Sequence, residues 1–128
     1  MRLSFSNELA HRIEAGSDLF LMPSKFEPCG LNQLYSLRYG TIPIVRATGG
    51  LADTVVDYDR EDGTGFSFTA YTSQEMLSAL KRALALYSDP VRWQELIIRA
   101  MSQDWSWDHS AREYLELYRA IRDSKFEI

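Results

Sequence analysis

An acidic residue, a proline and a glycine stand close together at Glu27, Pro28 and Gly30, directly after a short apolar run and ahead of a helical pattern. The backbone N–H groups in the first turn of a helix that begins here have no partner within the helix and point outward from its N-terminus. Such a terminus attracts phosphate. The helix dipole adds about half a positive charge. The N–H groups of Gly30, Leu31 and Asn32 are therefore predicted to face a diphosphate, with the Asn32 side chain as a further donor.

The carboxylate of Glu27 is poorly suited to phosphate, because like charges repel, but it accepts hydrogen bonds from sugar hydroxyls. Together, the helix start and the carboxylate predict a nucleotide-sugar site. The residues alone leave a second interpretation open with about equal weight. In it, this is an ordinary tight connection between a strand and a helix, and Glu27 is a first-turn charge favoured by the dipole.

A second loop with similar properties contains Thr48, Gly49 and Gly50. Adjacent glycines let a backbone approach a ligand closely, and Thr48 offers a hydroxyl. For the Gly-Gly pair alone, a turn without a ligand is the favoured interpretation. Both loops follow apolar runs, so both are expected at the same sheet edge, where ligands of open α/β sheets bind. Two such loops at one edge favour a cleft.

Other reactive or charged residues lie near these loops. Cys29 is a candidate thiolate beside the helix dipole, but no histidine is near it in sequence to act as its base. A small residue that lines the pocket is the favoured interpretation. Lys25, Arg38 and Arg46 carry charges that could neutralise phosphate, although solvated or packing roles are favoured for each.

Composition limits the class of protein. The chain has 128 residues, 45% of them hydrophobic, which is enough for one domain with a real core, residues 1–128. Its net charge of −4 argues against nucleic-acid partners, which need an excess of Lys and Arg. No apolar run is long enough to cross a membrane. One cysteine and two histidines argue against a disulfide and a structural metal site, so we expect a cytoplasmic, metal-free domain.

The elements that must position the two loops follow from apolar patterning. Short apolar runs predict strands at 3–5, 19–22 and 42–45 and a further strand or hairpin within 63–68. Helical patterns alternate with them at 7–15, at 30–39 and from residue 51. This alternation predicts an α/β fold, a Rossmann-like parallel sheet with helices on both faces.

The second half of the chain is predicted to be helical. A capping box at Thr72 and Glu75 begins one helix, Asp89 and Pro90 begin the next, and a third begins near residue 108. The tyrosine-containing stripe of the third helix is assigned to the core. Three or four strands are fewer than the five or six usual for such a sheet. We therefore expect the chain to be a fragment of a larger protein.

The run Glu27-Pro28-Cys29-Gly30-Leu31 resembles the C-terminal domain of bacterial glycogen synthases and plant starch synthases, which are retaining GT-B glycosyltransferases. The segments 17–24, 38–43, 48–55, 63–66 and 105–107 match the same family, so the resemblance covers nearly the whole chain. Several retaining GT-B relatives carry a second Glu eight residues along the chain. Tyr35 occupies that position here, which resembles the glycogen and starch synthase branch.

The resemblance implies transfer of glucose from ADP-glucose to the non-reducing end of an α-1,4-glucan with retention of configuration, without metal or cofactor. It implies that Glu27 is the catalytic residue that holds glucose hydroxyls and orients the sugar. Asn32 replaces a frequent Thr, as in plant and some cyanobacterial members. The donor-binding residues that it implies are Glu27, Cys29, Gly30, Leu31, Asn32, Thr48, Gly49 and Gly50.

The resemblance also implies parts that this segment lacks, including the N-terminal domain and most of the glucan acceptor groove. The chain alone is therefore expected to be inactive, and its expected location is the bacterial cytoplasm or, for a plant protein, the plastid stroma. An unpaired sheet edge would favour a homodimer. Two alternatives remain open: a non-catalytic nucleotide- or glucan-binding module, and a retaining GT-B transferase with another nucleotide-sugar donor.

Overall fold

Three short strands form one parallel sheet in the computed structural model, which describes residues 4–124. They are β1 (Leu19–Met22), β2 (Ile42–Arg46) and β3 (Phe66–Phe68), in the order β1-β2-β3. Leu19 lies opposite Ile42, and Ile44 lies opposite Phe66. The predicted parallel sheet is confirmed. Within the described residues β1 and β3 are its edges, and pairing of two chains through an edge stays a prediction.

Within residues 4–124 six helices accompany the sheet, and several begin at the predicted caps. The Ser6 side chain accepts a hydrogen bond from the Leu9 N–H, Thr72 accepts from Glu75, and Asp89 accepts from Arg92. Each cap satisfies an otherwise orphaned N–H of a first turn. The helices are α1 (Asn7–Ala15), α2 (Asn32–Tyr39), α3 (Gly50–Thr54), α4 (Ser73–Tyr87), α5 (Pro90–Met101) and α6 (Trp107–Ser124).

Helices cover both faces of the sheet, as predicted, but they cover them unequally. On one face Ile42 and Ile44 are fully buried in a large apolar cluster that α2, α4 and α5 complete. On the other face Val45 packs in a small cluster with Leu51 and Val55, which α3 and its end supply. Alternate residues of β2 therefore serve two cores, which explains why this strand is continuously apolar.

A partly buried ion pair links β3 to α4. The Arg82 guanidinium binds both carboxylate oxygens of Asp57 at 2.8 and 2.9 Å and donates to the Ser67 carbonyl at 2.8 Å. Burial alone would raise the pKa of Asp57, but hydrogen bonds from Arg82, from Ser67 and from the Asp59 N–H hold that pKa well below its usual range. The network therefore favours the ionised carboxylate.

Two predictions at the ends of the chain differ from the structure. The predicted strand 3–5 falls partly outside the described residues, and Ser4 and Phe5 are not in a strand. Phe5 is 93% exposed, since no strand within residues 4–124 pairs with it. The assignment of the α6 stripe to the core is wrong: none of its residues is buried, and Tyr114 and Tyr118 are 60% and 63% exposed.

Between residues 4 and 124, no helix is long and apolar enough to cross a bilayer. Across the same residues, no group of three or more His, Cys, Asp and Glu side chains is placed to hold a metal ion.

Candidate functional site

The two loops singled out in the sequence meet at one edge of the sheet. The first follows β1 and the second follows β2, and the strands are parallel, so both loops lie at the carboxyl edge. The Gly50 N–H donates to the Glu27 carbonyl at 3.2 Å, which joins them directly. The structure therefore brings Glu27 and the Gly-Gly segment together, as predicted.

The Gly-Gly segment is packed against backbone. A Cβ built at Gly49 would collide with the Glu27 carbonyl oxygen, and one at Gly50 would collide with the Cys29 carbonyl oxygen. Gly49 also has φ of +47°, a conformation that side chains strongly disfavour. These glycines allow the second loop to lie against the first. Their contact with a bound donor, and that of Thr48, stays a prediction.

The helix behind the first loop begins later than predicted. It starts at Asn32, because Gly30 has φ of +77° and so cannot belong to a right-handed helix. Leu31 is the N-cap residue, and its side chain makes no capping hydrogen bond. Within residues 4–124, no acceptor is found for the backbone N–H groups of residues 30–34. The unbonded amides required for an anion site are therefore present.

The predicted side chains around these amides are accessible to different degrees. Glu27 is half-buried, and the Ser24 hydroxyl donates to its Oε2 at 3.4 Å. Cys29 and Asn32 are exposed, and Thr48 is half-buried. A partly shielded carboxylate beside backbone donors that have no acceptor can hold neutral hydroxyls and an anion at neighbouring positions.

Arg46 has a packing role, as the sequence interpretation favoured. Its Nη1 donates to the Lys25 carbonyl after β1, and its Nε donates to the Thr69 carbonyl after β3. The Arg46 guanidinium also lies 5.5 Å from the centre of the Tyr71 ring. The side chain therefore holds the loops after β1 and β3 to the end of β2, whereas Arg38 is exposed.

A groove of about 620 Å³ runs along the side of α2 next to the first loop. Leu31, Tyr35 and Arg38 form one wall, and the segment that contains Trp105 and Trp107 forms the other. Trp107 is 89% exposed. Trp105 is 46% exposed, so within the described part of the chain neither tryptophan is a core residue.

Sequence reasoning missed Gln33, which is fully buried beneath the first loop. Its Nε2 lies within hydrogen-bond distance of the Cys29 carbonyl, the Gly30 carbonyl and the Thr54 hydroxyl. The signal in the sequence that could have revealed Gln33 is its spacing from other residues of α2. Gln33 lies three and four residues before Ser36 and Leu37, which are also fully buried, so a polar side chain occupies the core-facing side of α2.

Comparison with known protein families identifies the class of protein to which this fold and this candidate site belong. The model of the family described as glycosyl transferases group 1 matches residues 2–99. The chain belongs to this family.

Curated relatives narrow the likeness to one branch. The chain is 60% identical over 121 residues to the glycogen synthase of Anaeromyxobacter sp. (strain K), and 54% identical over 124 residues to that of Koribacter versatilis. These matches cover 94% and 95% of this chain but only 26% of each relative. The chain thus spans about a quarter of the length of these relatives. The resemblance to glycogen synthases is confirmed.

Solved structures agree with this assignment. The catalytic domain of starch synthase IV from Arabidopsis thaliana, bound to ADP and acarbose, superposes with a TM-score of 0.83 at 45% identity. That match covers 92% of this chain and 25% of the plant chain. Sucrose-phosphate synthase from Thermosynechococcus elongatus has a TM-score of 0.64 at 24% identity and shares the fold. The expected GT-B type of fold is confirmed.

Proposed function

We propose that this chain is the nucleotide-sugar-binding part of a glucan synthase, which transfers glucose from ADP-glucose to the non-reducing end of an α-1,4-glucan with retention. The observation that carries the proposal is the set of unbonded amides at residues 30–34 beside the half-buried Glu27 carboxylate. The starch synthase IV structure, to which the chain is 45% identical, contains ADP and acarbose. Glycogen synthases are the relatives at 54–60% identity.

The chemistry of the proposed transfer is mainly electrostatic. Departure of ADP leaves negative charge on the diphosphate, and donors that are already oriented at the start of α2 stabilise that charge without reorganisation. Glu27 accepts hydrogen bonds from the hexose, Cys29 lines the sugar pocket, and Asn32 adds a phosphate contact. Retention of configuration fits attack by the acceptor hydroxyl on the face of the anomeric carbon that the phosphate leaves, through an oxocarbenium-like ion pair. The bond from the anomeric carbon to the phosphate oxygen breaks, the bond to the acceptor oxygen forms on the same face, and the departing phosphate takes up the hydroxyl proton.

The proposal assigns residues 1–128 to one domain within the C-terminal half of a GT-B enzyme. The N-terminal half and the acceptor groove come from sequence outside this segment, so the chain alone is expected to be inactive. No metal or cofactor takes part beyond the donor substrate. A cytoplasmic location goes with the proposal, since reducing conditions suit the exposed free thiol of Cys29.

Transplanting the chain into a relative tests this function. The matching segment of the Anaeromyxobacter glycogen synthase is replaced by residues 1–128, and glucose incorporation into glucan is measured with ADP-glucose and with UDP-glucose. We expect the hybrid to be active and to prefer ADP-glucose. An inactive but folded hybrid would contradict the proposal, and a preference for UDP-glucose would overturn the donor assignment.

Glu27→Ala in the same hybrid tests the catalytic residue. Loss of one preorganised interaction with the reacting sugar costs about 2.7–4 kcal/mol, or roughly 100- to 1000-fold in rate. Glu61→Ala is the matched control, because Glu61 is an exposed carboxylate that precedes β3 and so lies at the opposite edge of the sheet. A Glu27→Ala rate within about threefold of the parent would reject the role.

A further inference from the structure

The buried Gln33 side chain holds two consecutive peptide groups of the first loop. Its Nε2 lies 3.1 Å from the Cys29 carbonyl oxygen and 3.0 Å from the Gly30 carbonyl oxygen. Its third partner is the Thr54 hydroxyl at 3.2 Å, which itself donates to the Gly50 carbonyl at 2.6 Å. One side chain thus ties the loop after β1 to α3 and the Gly-Gly segment.

These contacts decide where the neighbouring N–H groups point. The carbonyl and the N–H of one trans peptide lie in a plane and point in opposite directions. When Gln33 draws the Cys29 carbonyl inward, it turns the Gly30 N–H outward. When it draws the Gly30 carbonyl inward, it turns the Leu31 N–H outward. Both N–H groups lie among the amides for which residues 4–124 supply no acceptor.

The burial of Gln33 carries a cost that packing alone does not explain. Its Oε1 is buried and has no hydrogen-bond partner within residues 4–124. The same oxygen lies against Gly30, where an added Cβ would approach it to 2.5 Å. An apolar side chain of similar length would avoid this orphaned acceptor. A glutamine, unlike such an apolar side chain, can donate hydrogen bonds to the two loop carbonyls.

We propose that Gln33 is a positioning residue, which orients the Gly30 and Leu31 amides toward a bound diphosphate by holding the carbonyls of Cys29 and Gly30. The inference rests on the proposed function, because it assumes that an anion binds at the start of α2. Gln33 does not touch that anion; it acts through the two peptide groups. In this role Gln33 supports the site from behind, because it orients the groups that bind the ligand without binding the ligand itself.

Two variants and one control separate orientation from stability. Gln33→Met keeps the length of the side chain but removes the amide, and Gln33→Glu places an acceptor against two carbonyls. Ser36→Ala is the matched control. Ser36 is fully buried one turn further along α2, and its hydroxyl donates to the Thr41 carbonyl at 2.7 Å. Its loss removes a comparable buried hydrogen bond without touching the loop.

The measurements are amide NMR of the full chain. Residual dipolar couplings report the directions of the Gly30 and Leu31 N–H bonds, and titration with inorganic pyrophosphate gives the dissociation constant. We expect both Gln33 variants to change the two N–H directions and to weaken pyrophosphate binding by about tenfold or more. Ser36→Ala should change neither. If the variants fold, retain the wild-type N–H directions and bind pyrophosphate equally well, the inference is overturned.

The wild-type protein supplies a test that does not depend on variants that fold. The Gln33 side-chain N–H protons should exchange with solvent slowly, and their signals should shift with the same pyrophosphate dependence as the Gly30 amide. Exchange as fast as that of an exposed glutamine would overturn the inference. If pyrophosphate produces no saturable shift at Gly30 or Leu31 in the wild-type chain, the anion site itself fails, and the role of Gln33 fails with it.

Discussion

Gly49→Ala should destabilise the protein strongly, because two separate costs fall on the same residue. Its backbone has φ of +47°, and holding a residue with a Cβ in such a conformation costs about 1–3 kcal/mol. The new Cβ would also collide with the Glu27 carbonyl oxygen, which is backbone and cannot rotate away. Overpacking of this kind costs about 1–3 kcal/mol. The expected loss in the free energy of unfolding is therefore about 2–6 kcal/mol.

Urea denaturation followed by circular dichroism measures this loss. The slope of the free energy of unfolding against urea concentration is compared between the variants. Gly16→Ala is the control, since Gly16 has a negative φ and its added Cβ would lie 3.2 Å from the Arg12 carbonyl oxygen. That change should alter the free energy of unfolding by about 1 kcal/mol or less. If Gly49→Ala costs no more than the control, the close packing of the two loops is refuted.

Three further predictions concern charge and reactivity. Arg82→Met should lower the free energy of unfolding at neutral pH by about 2 kcal/mol, less than for a fully buried pair because both side chains keep some contact with solvent. The pKa of Asp57 is low in the folded state, so the stabilisation from its ionised form is present above the unfolded pKa of about 3.9 and is lost as the pH falls. In urea titrations at a series of pH values, the free energy of unfolding of Arg82→Met should therefore fall less on acidification than that of the wild type. An equal fall in both proteins would contradict this. Burial raises the pKa of Glu14, and the opposite effect of His11 is smaller, so the ionised carboxylate destabilises the folded state at neutral pH. Glu14→Gln should therefore raise the free energy of unfolding at neutral pH, and this advantage should shrink on acidification; a destabilised variant in the same titrations would refute it. The exposed Cys29 thiol should react readily with a thiol reagent in the folded chain, and ADP-glucose should slow the reaction; equal rates with and without the donor would count against a place in the sugar pocket.

The local features of the fold could be predicted from the sequence because they depend on neighbours along the chain. Ser6, Thr72 and Asp89 each cap a helix through a residue three positions later. Gly40 ends α2 in the left-handed conformation, as its position predicts. Continuous apolar runs likewise indicated the parallel strands β1 and β2, although only β2 is buried and Leu21 of the edge strand β1 is exposed.

Features that depend on distant contacts could not be predicted in the same way. The start of α2 depends on Gly30 and on Gln33 beneath it, and Gln33 also binds Thr54, which is distant in sequence. The purpose of Gly49 becomes visible only when the Glu27 backbone is placed against it. The apolar stripe of α6 could not be assigned for the same reason. The sequence pattern of this helix is amphipathic, but such a pattern does not reveal whether other parts of the protein cover the apolar stripe.

The comparison of ADP with ADP-glucose by amide NMR tests the central claim most directly. The account predicts that ADP shifts the amide signals of residues 30–34, and that ADP-glucose shifts these and also those of Glu27 and Cys29, because only the second ligand carries the hexose. Weak affinity does not prevent this measurement, which requires only saturable shifts. Shifts confined to other surfaces, or identical responses of Glu27 to both ligands, would contradict the assignment of the amides to the diphosphate and of the carboxylate to the sugar.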